Sequence, residues 1–226
     1  MMQIVPDLLT AEQLAEARSL LAKARWVDGK VTAGTQAATV KNNQQLPEDA
    51  AEIGALRHMV LSALNRSALF FTAALPSRIL PPFFNRYSGE MNHYGAHVDN
   101  AMRMLPDGGG YVRADVSATL FLSEPDEYEG GELIVEDTFG SHAVKLKAGS
   151  LVLYPSSSLH QVTAVTKGQR TACFMFIQSM VRDSGKRRLL YDMDMSLMQL
   201  RHSVGETEQL VHLTGVYHNL LRRWAE

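Results

Sequence analysis

The spacing of apolar residues changes twice along this chain, and the changes divide it into three zones. Residues 1–78 repeat their apolar positions every three or four residues, which predicts helices. Residues 79–181 alternate apolar and polar positions in short runs, which predicts β-strands. Residues 182–226 return to helical spacing. We therefore predict an α+β protein with a mainly β core, an N-terminal helical region packed on it and a C-terminal helical extension.

Two helices are predicted in the first zone. Thr10 followed by Gln13 is the signature of a capping box, so a helix should begin there. Pro47 and the two acidic residues after it suit the first turn of a second helix, because Pro lacks an N–H and carboxylates favour the positive helix end. The apolar face of that helix would contain Ile53, Leu56, Val60 and Leu64. Between the two helices, residues 27–43 have the Gly, Thr and Val content of a strand or hairpin.

The middle zone contains many short strand signals. In residues 114–123 every second position from Val116 onward is apolar, and Ser117 and Thr119 lie between these positions. Further runs are punctuated by Gly and Pro, which mark turns. They are residues 132–135, 143–146, 150–154, 161–165 and 171–180. Short strands at this spacing predict a β-sandwich or jelly roll.

The last zone offers one apolar helical stripe with two interpretations. It would consist of Leu210, Leu213, Val216 or Tyr217, Leu220 and Leu221. Ordinary core packing is the first interpretation, and the interface of a homodimer is the second, because a helical tail outside a β core needs a surface to cover.

The composition is that of an ordinary packed protein. The 226 residues are 46% hydrophobic and 20% charged, and a chain of this length can bury a sizeable core. A formal net charge of −2 argues against nucleic acid or an anionic membrane surface as the partner. We therefore expect small-molecule or peptide ligands.

Neither export nor membrane insertion is predicted. Cys173 is the single cysteine, so no internal disulfide can form, and its apolar surroundings predict a buried, inert thiol. The first residues lack the basic and apolar regions of a signal peptide. The most apolar stretch, residues 61–75, is interrupted by Asn65 and Arg66 and is too short to span a bilayer. We expect a cytoplasmic protein.

His97 and Asp99 are the first two candidate metal ligands. On a strand these two positions point to the same face, so an imidazole and a carboxylate can converge on one metal ion. A His-x-Asp pair is common by chance, however, and carries little weight alone. A third ligand is needed.

His160 and Arg170 complete the pattern. His160 follows the predicted strand 150–154 and a polar turn. Two His and one carboxylate on one face of an octahedral ion leave three open positions, the arrangement of non-haem iron(II) oxygenases. In a 2-oxoglutarate-dependent enzyme the cosubstrate uses two of them and O₂ the third. Arg170 suits the cosubstrate's far carboxylate, because guanidinium binds carboxylate in a two-pronged fork and stays charged when buried.

These motifs resemble those of a known family. Tyr94 to Asn100, Glu129 to Leu133, His160 and Arg170 resemble the prolyl-4-hydroxylase-type branch of the iron(II)/2-oxoglutarate dioxygenases. The N-terminal Met-Gln-Ile-Val-Pro-Asp-Leu-Leu-Thr run and residues 113–133 are similar to the bacterial PKHD-type hydroxylases. The resemblance covers essentially the full length.

The resemblance implies a fold, a reaction and a set of site residues. The fold would be a double-stranded β-helix, or jelly roll, with iron ligands at His97, Asp99 and His160 and with Arg170 on 2-oxoglutarate. Tyr87 matches a position where related hydroxylases place a tyrosine hydroxyl near the cosubstrate. The reaction would be hydroxylation coupled to decarboxylation of 2-oxoglutarate to succinate and CO₂, with ascorbate as supporting reductant. The substrate is not implied beyond a peptidyl prolyl or lysyl residue or a small iron-chelating metabolite.

Other interpretations of the same residues remain open at this stage. Zinc binds the same ligands, in a structural or hydrolytic site. The run from Gly149 to Pro155, with His160 beyond it, is close to the second metal motif of the cupins, so a cupin-like metal protein without 2-oxoglutarate turnover is the main alternative. The first cupin motif is absent. Arg113 and Asp115 could recognise substrate or form an ion pair at the rim.

Overall fold

The computed structural model describes residues 1–105 and 108–226, and besides four α-helices the N-terminal zone contains the first five short strands of the chain. The strands are β1 (Gln3–Val5), β2 (Val27–Asp28), β3 (Lys41–Asn42), β4 (Gln44–Gln45), β5 (Pro76–Ile79), β6 (Phe83–Tyr87), β7 (His93–His97), β8 (Met102–Met104), β9 (Tyr111–Arg113), β10 (Val116–Phe121), β11 (Tyr128–Gly130), β12 (Leu133–Asp137), β13 (Gly140–Val144), β14 (Leu151–Pro155), β15 (His160–Val162), β16 (Val165–Gly168) and β17 (Arg170–Ser179). The α-helices are α1 (Ala11–Lys23), α2 (Thr35–Val40), α3 (Ile53–Arg66), α4 (Ala68–Ala74), α5 (Ser184–Val204) and α6 (Glu208–Trp224).

Two antiparallel sheets form the β core. The larger has the order β1-β14-β10-β17-β6-β4-β2, with β5 paired to β17, and the smaller has the order β13-β12-β15-β7-β3. One hydrophobic cluster contains Phe121 and Tyr154 of the larger sheet together with Leu133 and Val162 of the smaller sheet. The sheets therefore face each other in the predicted jelly roll, and two further strand pairs, β8-β9 and β11-β16, flank them.

The alternation along β10 and β17 separates helix-facing from site-facing residues. Val116, Ala118 and Leu120 of β10 belong to the cluster that packs against the helices. Ser117 and Thr119, between them, are also buried, and they face the space between the two sheets. The polar positions that predicted this strand thus line an internal cleft rather than the outer surface.

The helical side of the larger sheet follows the predicted pattern with one correction. The capping box between Thr10 and Gln13 is present at the start of α1. The second helix begins at Ile53 and not at Pro47, because residues 47–52 form turns before the first helical hydrogen bonds. Its predicted apolar face is right: Leu56, Val60 and Leu64 are buried, with Ile53 packed beside them.

The segment predicted as a strand or hairpin at residues 27–43 is more varied. It contains β2, a 3₁₀ turn, the helix α2 and β3. Its short strands join both sheets, since β2 pairs with β4 and β3 pairs with β7. A Cβ at Gly95 would lie 2.9 Å from the Cβ of Val40, so glycine there allows the end of α2 to lie against β7.

The predicted C-terminal stripe is divided between two surfaces. Leu210 and Tyr217 are buried against α5 and its neighbours. Leu213 and Val216, placed in the same stripe by the prediction, are exposed. One face of α6 thus packs on the protein and another carries apolar residues to the surface. Among the helices in the described residues, none has the length and apolar character needed to cross a membrane.

Candidate metal and cosubstrate site

A cleft opens between the two sheets, and its walls contain all five residues predicted for the site. It encloses about 720 Å³, part of which is open to solvent. The smaller sheet contributes His97 and His160, and the larger sheet contributes Tyr87 and Arg170. Asp99 lies at the same place, just beyond the end of β7.

Strand register brings the two histidines together. His97, the last residue of β7, is the cross-strand partner of His160, the first residue of β15. Their ring centroids are 4.2 Å apart. The strand ends before Asp99, so the chain turns its carboxylate in, and Oδ2 lies 3.7 Å from His160 Nε2. One ligand atom from each of the three residues lies within 4.8 Å of the others, which is compatible with one shared ion.

Backbone carbonyls fix the orientation of both imidazoles. His97 Nδ1 donates to the Gly95 carbonyl at 2.8 Å, and His160 Nδ1 donates to the Ser158 carbonyl at 3.0 Å. Because a carbonyl can only accept, each Nδ1 carries a proton, and in a neutral ring Nε2 is then the atom available to a metal. Burial, and then the charge of His160, lower the pKa of His97 well below its ordinary value. The neutral form, which a metal ligand requires, is therefore favoured.

Two serines hold the Asp99 carboxylate. Ser117 Oγ donates to Asp99 Oδ2 at 2.6 Å. Ser156 Oγ lies 2.7 Å from Ser117 Oγ, and it donates to it because the Ser117 proton is already used. Both serines are buried. Sequence reasoning missed them, although Ser117 stood at a polar position of the alternating strand.

Arg170 is a fully buried cation. It is 1% exposed, and its guanidinium carbon lies 5.2 Å from the Tyr87 ring centroid and 5.1 Å from that of Phe121. Its Nε and Nη2 atoms have no hydrogen-bond partner among residues 1–105 and 108–226. An unpaired buried N–H is costly, so this cation is prepared for an anionic ligand.

Two tyrosines border the site. Tyr87 faces Arg170 across the β6–β17 pair, and its hydroxyl accepts a hydrogen bond from Asn85 at 3.3 Å. Burial raises the pKa of Tyr87, so the hydroxyl stays neutral. Tyr94 stacks on the His97 ring at a centroid distance of 3.7 Å, which fills the space behind that imidazole.

Other polar residues divide between the cleft and its surroundings. Lys41 and Arg103 line the cleft, although neither was singled out from the sequence. Arg113 and Asp115 form a two-pronged ion pair, with N–O distances of 2.8 and 3.0 Å, and do not belong to the lining. The ion-pair interpretation of these two residues is therefore the right one. Cys173 is buried as predicted, and burial raises the pKa of its thiol.

Comparisons with known proteins identify the class and the family. Residues 82–178 match the 2OG-Fe(II) oxygenase superfamily, and residues 184–226 match the PKHD-type hydroxylase C-terminal domain. Together with the jelly roll and the cleft, the first match makes this chain an iron(II)- and 2-oxoglutarate-dependent oxygenase. A PKHD-type hydroxylase of Nitrosomonas eutropha is 70% identical over 226 residues, which is 100% of both chains. The chain belongs to the PKHD-type hydroxylases.

Solved structures with the same fold are more distant. A prolyl-4-hydroxylase from Pseudomonas putida superposes with a TM-score of 0.51 at 22% identity, covering 78% of this chain and 92% of that one. A prolyl hydroxylase from Trichoplax adhaerens, solved with a hypoxia-inducible factor peptide fragment, gives 0.54 at 15% identity, covering 84% and 86%. They show the shared fold. Membership of this family means that the chain is an enzyme, a dioxygenase that uses iron(II), 2-oxoglutarate and O₂. The alternative of a cupin-like metal protein without 2-oxoglutarate turnover is therefore excluded.

Proposed function

We propose that His97, Asp99 and His160 bind the iron(II) of this hydroxylase. The convergence of their ligand atoms within 4.8 Å is the observation that carries the proposal. Two neutral imidazoles and one carboxylate form the donor set of non-haem iron(II) oxygenases, and they leave open positions for the other reactants. The carbonyls behind the histidines and Ser117 behind Asp99 would hold the ligands in place before the metal binds.

We further propose that Arg170 binds the far carboxylate of 2-oxoglutarate and that Tyr87 lies beside it. The unpaired Nε and Nη2 atoms of Arg170 support this role, because a carboxylate can accept from both at once. The Tyr87 ring packs against the guanidinium and limits its movement. Its hydroxyl could donate to a cosubstrate oxygen while it accepts from Asn85.

The bound metal and cosubstrate supply the oxidative chemistry, in which O₂ is used, 2-oxoglutarate becomes succinate and CO₂, and the substrate is hydroxylated. The residues of the chain bind and orient the reactants. The apolar side chains of Leu133, Val162 and Phe174 line part of the cleft and would limit the access of water to the reacting groups. We also propose that ascorbate reduces oxidised iron back to iron(II) after cycles in which no substrate is hydroxylated.

The substrate class and the cellular location are also proposed. A peptidyl prolyl or lysyl residue and a small iron-chelating metabolite are the two substrate classes that we propose for the cleft. We keep the cytoplasm as the proposed location, since a single buried thiol suits a reducing compartment.

A homodimer through the C-terminal helices is supported by exposed apolar residues on both of them. Val204 lies on α5, and Val211, Leu213 and Val216 lie on α6. We expect a dimer mass by light scattering and a monomer mass for the Leu213→Glu/Val216→Glu variant. A wild-type monomer over the same concentrations would contradict the dimer.

The proposed site predicts a spectroscopic result. Anaerobic addition of iron(II) and 2-oxoglutarate together should give a weak visible charge-transfer band that neither gives alone, because the band requires the keto acid in contact with the metal. Succinate, which lacks the keto group, is the matched control and should give no band. If the keto acid also gave none, the proposed site would be wrong.

A further inference from the structure

Buried polar atoms beside Tyr87 lack hydrogen-bond partners. In the part of the chain that the structure describes, the buried side-chain nitrogen and oxygen atoms without a hydrogen bond belong to Asn43, Asn85, Tyr128 and Arg170. Two of these residues are neighbours of Tyr87: Asn85 Nδ2 lies 3.3 Å from its hydroxyl, and the Arg170 guanidinium carbon lies 5.2 Å from its ring centroid. Unpaired buried polar groups are costly, so this end of the cleft suits a polar ligand.

Asn85 is an unusual residue for its position in β6. It is only 7% exposed, and Phe83 and Phe84, the residues before it, are buried too. Asparagine is uncommon in strands, and a buried amide destabilises the fold unless it is hydrogen-bonded. Asn85 and Tyr87 are two residues apart, so their side chains share one face of the strand, and both line the cleft. An apolar residue would be the ordinary choice here, which points to a role for the amide in the site.

The Asn85 amide determines the direction of the Tyr87 hydroxyl. A phenol has one proton to donate, and its oxygen can also accept. Asn85 Nδ2 donates to that oxygen, so the proton is left for a group in the cleft. Burial raises the pKa of Tyr87, against smaller effects of Arg170 and Asn43, and the proton therefore stays on the oxygen at neutral pH. The reverse orientation of the amide would make Tyr87 donate to Asn85 Oδ1 and would turn only oxygen lone pairs toward the cleft.

The direction of this hydroxyl matters because of the ligand expected at Arg170. A carboxylate only accepts hydrogen bonds, so the unpaired N–H groups of Arg170 and the O–H group of Tyr87 both match it. A tyrosine that presented its lone pairs would repel the same carboxylate. Through Tyr87, Asn85 therefore decides whether this end of the cleft favours an acceptor or a donor.

We infer that Asn85 is a positioning residue for the cosubstrate: its amide holds the Tyr87 hydroxyl as a donor to the far carboxylate of 2-oxoglutarate. This inference rests on the proposed function, because it takes Arg170 and Tyr87 to bind that carboxylate. Loss of the amide should therefore weaken 2-oxoglutarate only while the Tyr87 hydroxyl is present.

Asn85→Leu tests this role, because leucine has nearly the shape of asparagine but neither donates nor accepts. 2-Oxoglutarate is titrated into the anaerobic protein loaded with iron(II), and half-saturation of the charge-transfer band gives its affinity. Asn85→Leu should weaken 2-oxoglutarate about three- to ten-fold, the usual effect of one hydrogen bond. In the Tyr87→Phe background the same substitution should change the affinity by less than about two-fold, because no hydroxyl is left to position.

Three controls separate this role from general damage. Iron(II) affinity and the thermal unfolding midpoint should not change in Asn85→Leu, and Asn85→Ala gives the same comparison if leucine lowers the midpoint. Pyruvate lacks the far carboxylate, so its titrations of the wild-type protein and of Asn85→Leu should coincide. Asn92 Nδ2 donates to the Val165 carbonyl at 3.2 Å, outside the cleft, so Asn92→Leu loses a comparable bond and should bind 2-oxoglutarate normally.

The sign of the effect of Asn85→Leu is decisive. The inference is wrong if this variant binds 2-oxoglutarate as tightly as the wild-type protein or more tightly, the second result being that of the reverse amide orientation. It is also wrong if the loss persists in the Tyr87→Phe background or is shared by pyruvate. Wild-type affinity in Tyr87→Phe itself would contradict the proposed role of Tyr87, and absence of the band in the wild-type protein would contradict the proposed function as a whole.

Discussion

Asp99→Ala should abolish succinate formation from 2-oxoglutarate and leave the fold intact. Its carboxylate is the one anionic group in the proposed ligand set, and the two histidines alone bind iron(II) weakly. Loss of a residue that only supports a ligand typically costs about 10- to 100-fold in metal affinity. Loss of the ligand itself should cost more, so we expect iron(II) affinity to fall by at least about 100-fold.

The measurements are succinate release and an iron(II) binding titration. Asp99→Asn is an informative second variant, because it keeps the shape and one oxygen donor but removes the charge, and it should fall between Ala and wild type. Asp49→Ala is the control for loss of a carboxylate, since Asp49 is exposed in a surface ion pair with Arg25. Turnover by Asp99→Ala at a near wild-type rate would contradict the ligand set.

The long strands and the site they frame could be predicted from the sequence because their signals are local. Val116 to Phe121 form a full strand whose two faces differ in polarity, and that difference is visible as alternation. The same holds for the capping box at Thr10, which depends on residues three apart. At this strand and this helix start, the prediction and the structure agree.

The short strands could not be predicted in this way. β2, β3 and β4 contain two residues each, too few to show a period. β3 pairs with β7 and β4 with β6, strands that are distant in sequence, and β2 in turn pairs with β4. Lys41 was missed for this reason, since its burial in the cleft depends on where β3 pairs.

The position of the Asp99 carboxylate beside the two histidines also depends on long-range structure. The two-residue spacing from His97 predicted that both side chains point the same way along one strand, but the strand ends at His97. Asp99 reaches the site from the irregular segment that follows the strand, and Ser117 of β10 donates a hydrogen bond to its carboxylate. The sequence pattern predicted Asp99 as a site residue, whereas the hydrogen bond that orients its carboxylate depends on long-range packing and could not be predicted.

Arg170→Ala should raise the KM for 2-oxoglutarate strongly and leave iron(II) affinity nearly unchanged. Arg170 is buried, and in the part of the chain that the structure describes its Nε and Nη2 atoms have no hydrogen-bond partner. Truncating one partner of a buried charge-assisted pair typically costs about 2–5 kcal/mol, roughly 30- to several thousand-fold. Arg170→Lys should have a milder effect, because an ammonium keeps the charge but loses the two-pronged geometry.

A second cosubstrate separates loss of this contact from general damage to the site. Pyruvate lacks the far carboxylate, so it should be a poor substitute in the wild-type enzyme, and its disadvantage should shrink in Arg170→Ala. Arg86→Ala is the matched control: its guanidinium also stacks on an aromatic ring, 4.7 Å from the Trp26 centroid, but outside the cleft. The 2-oxoglutarate concentration that half-saturates the charge-transfer band gives the affinity without turnover. If both Arg170 variants reach half-saturation at the wild-type concentration, Arg170 does not bind the cosubstrate, and its unpaired N–H groups serve another ligand.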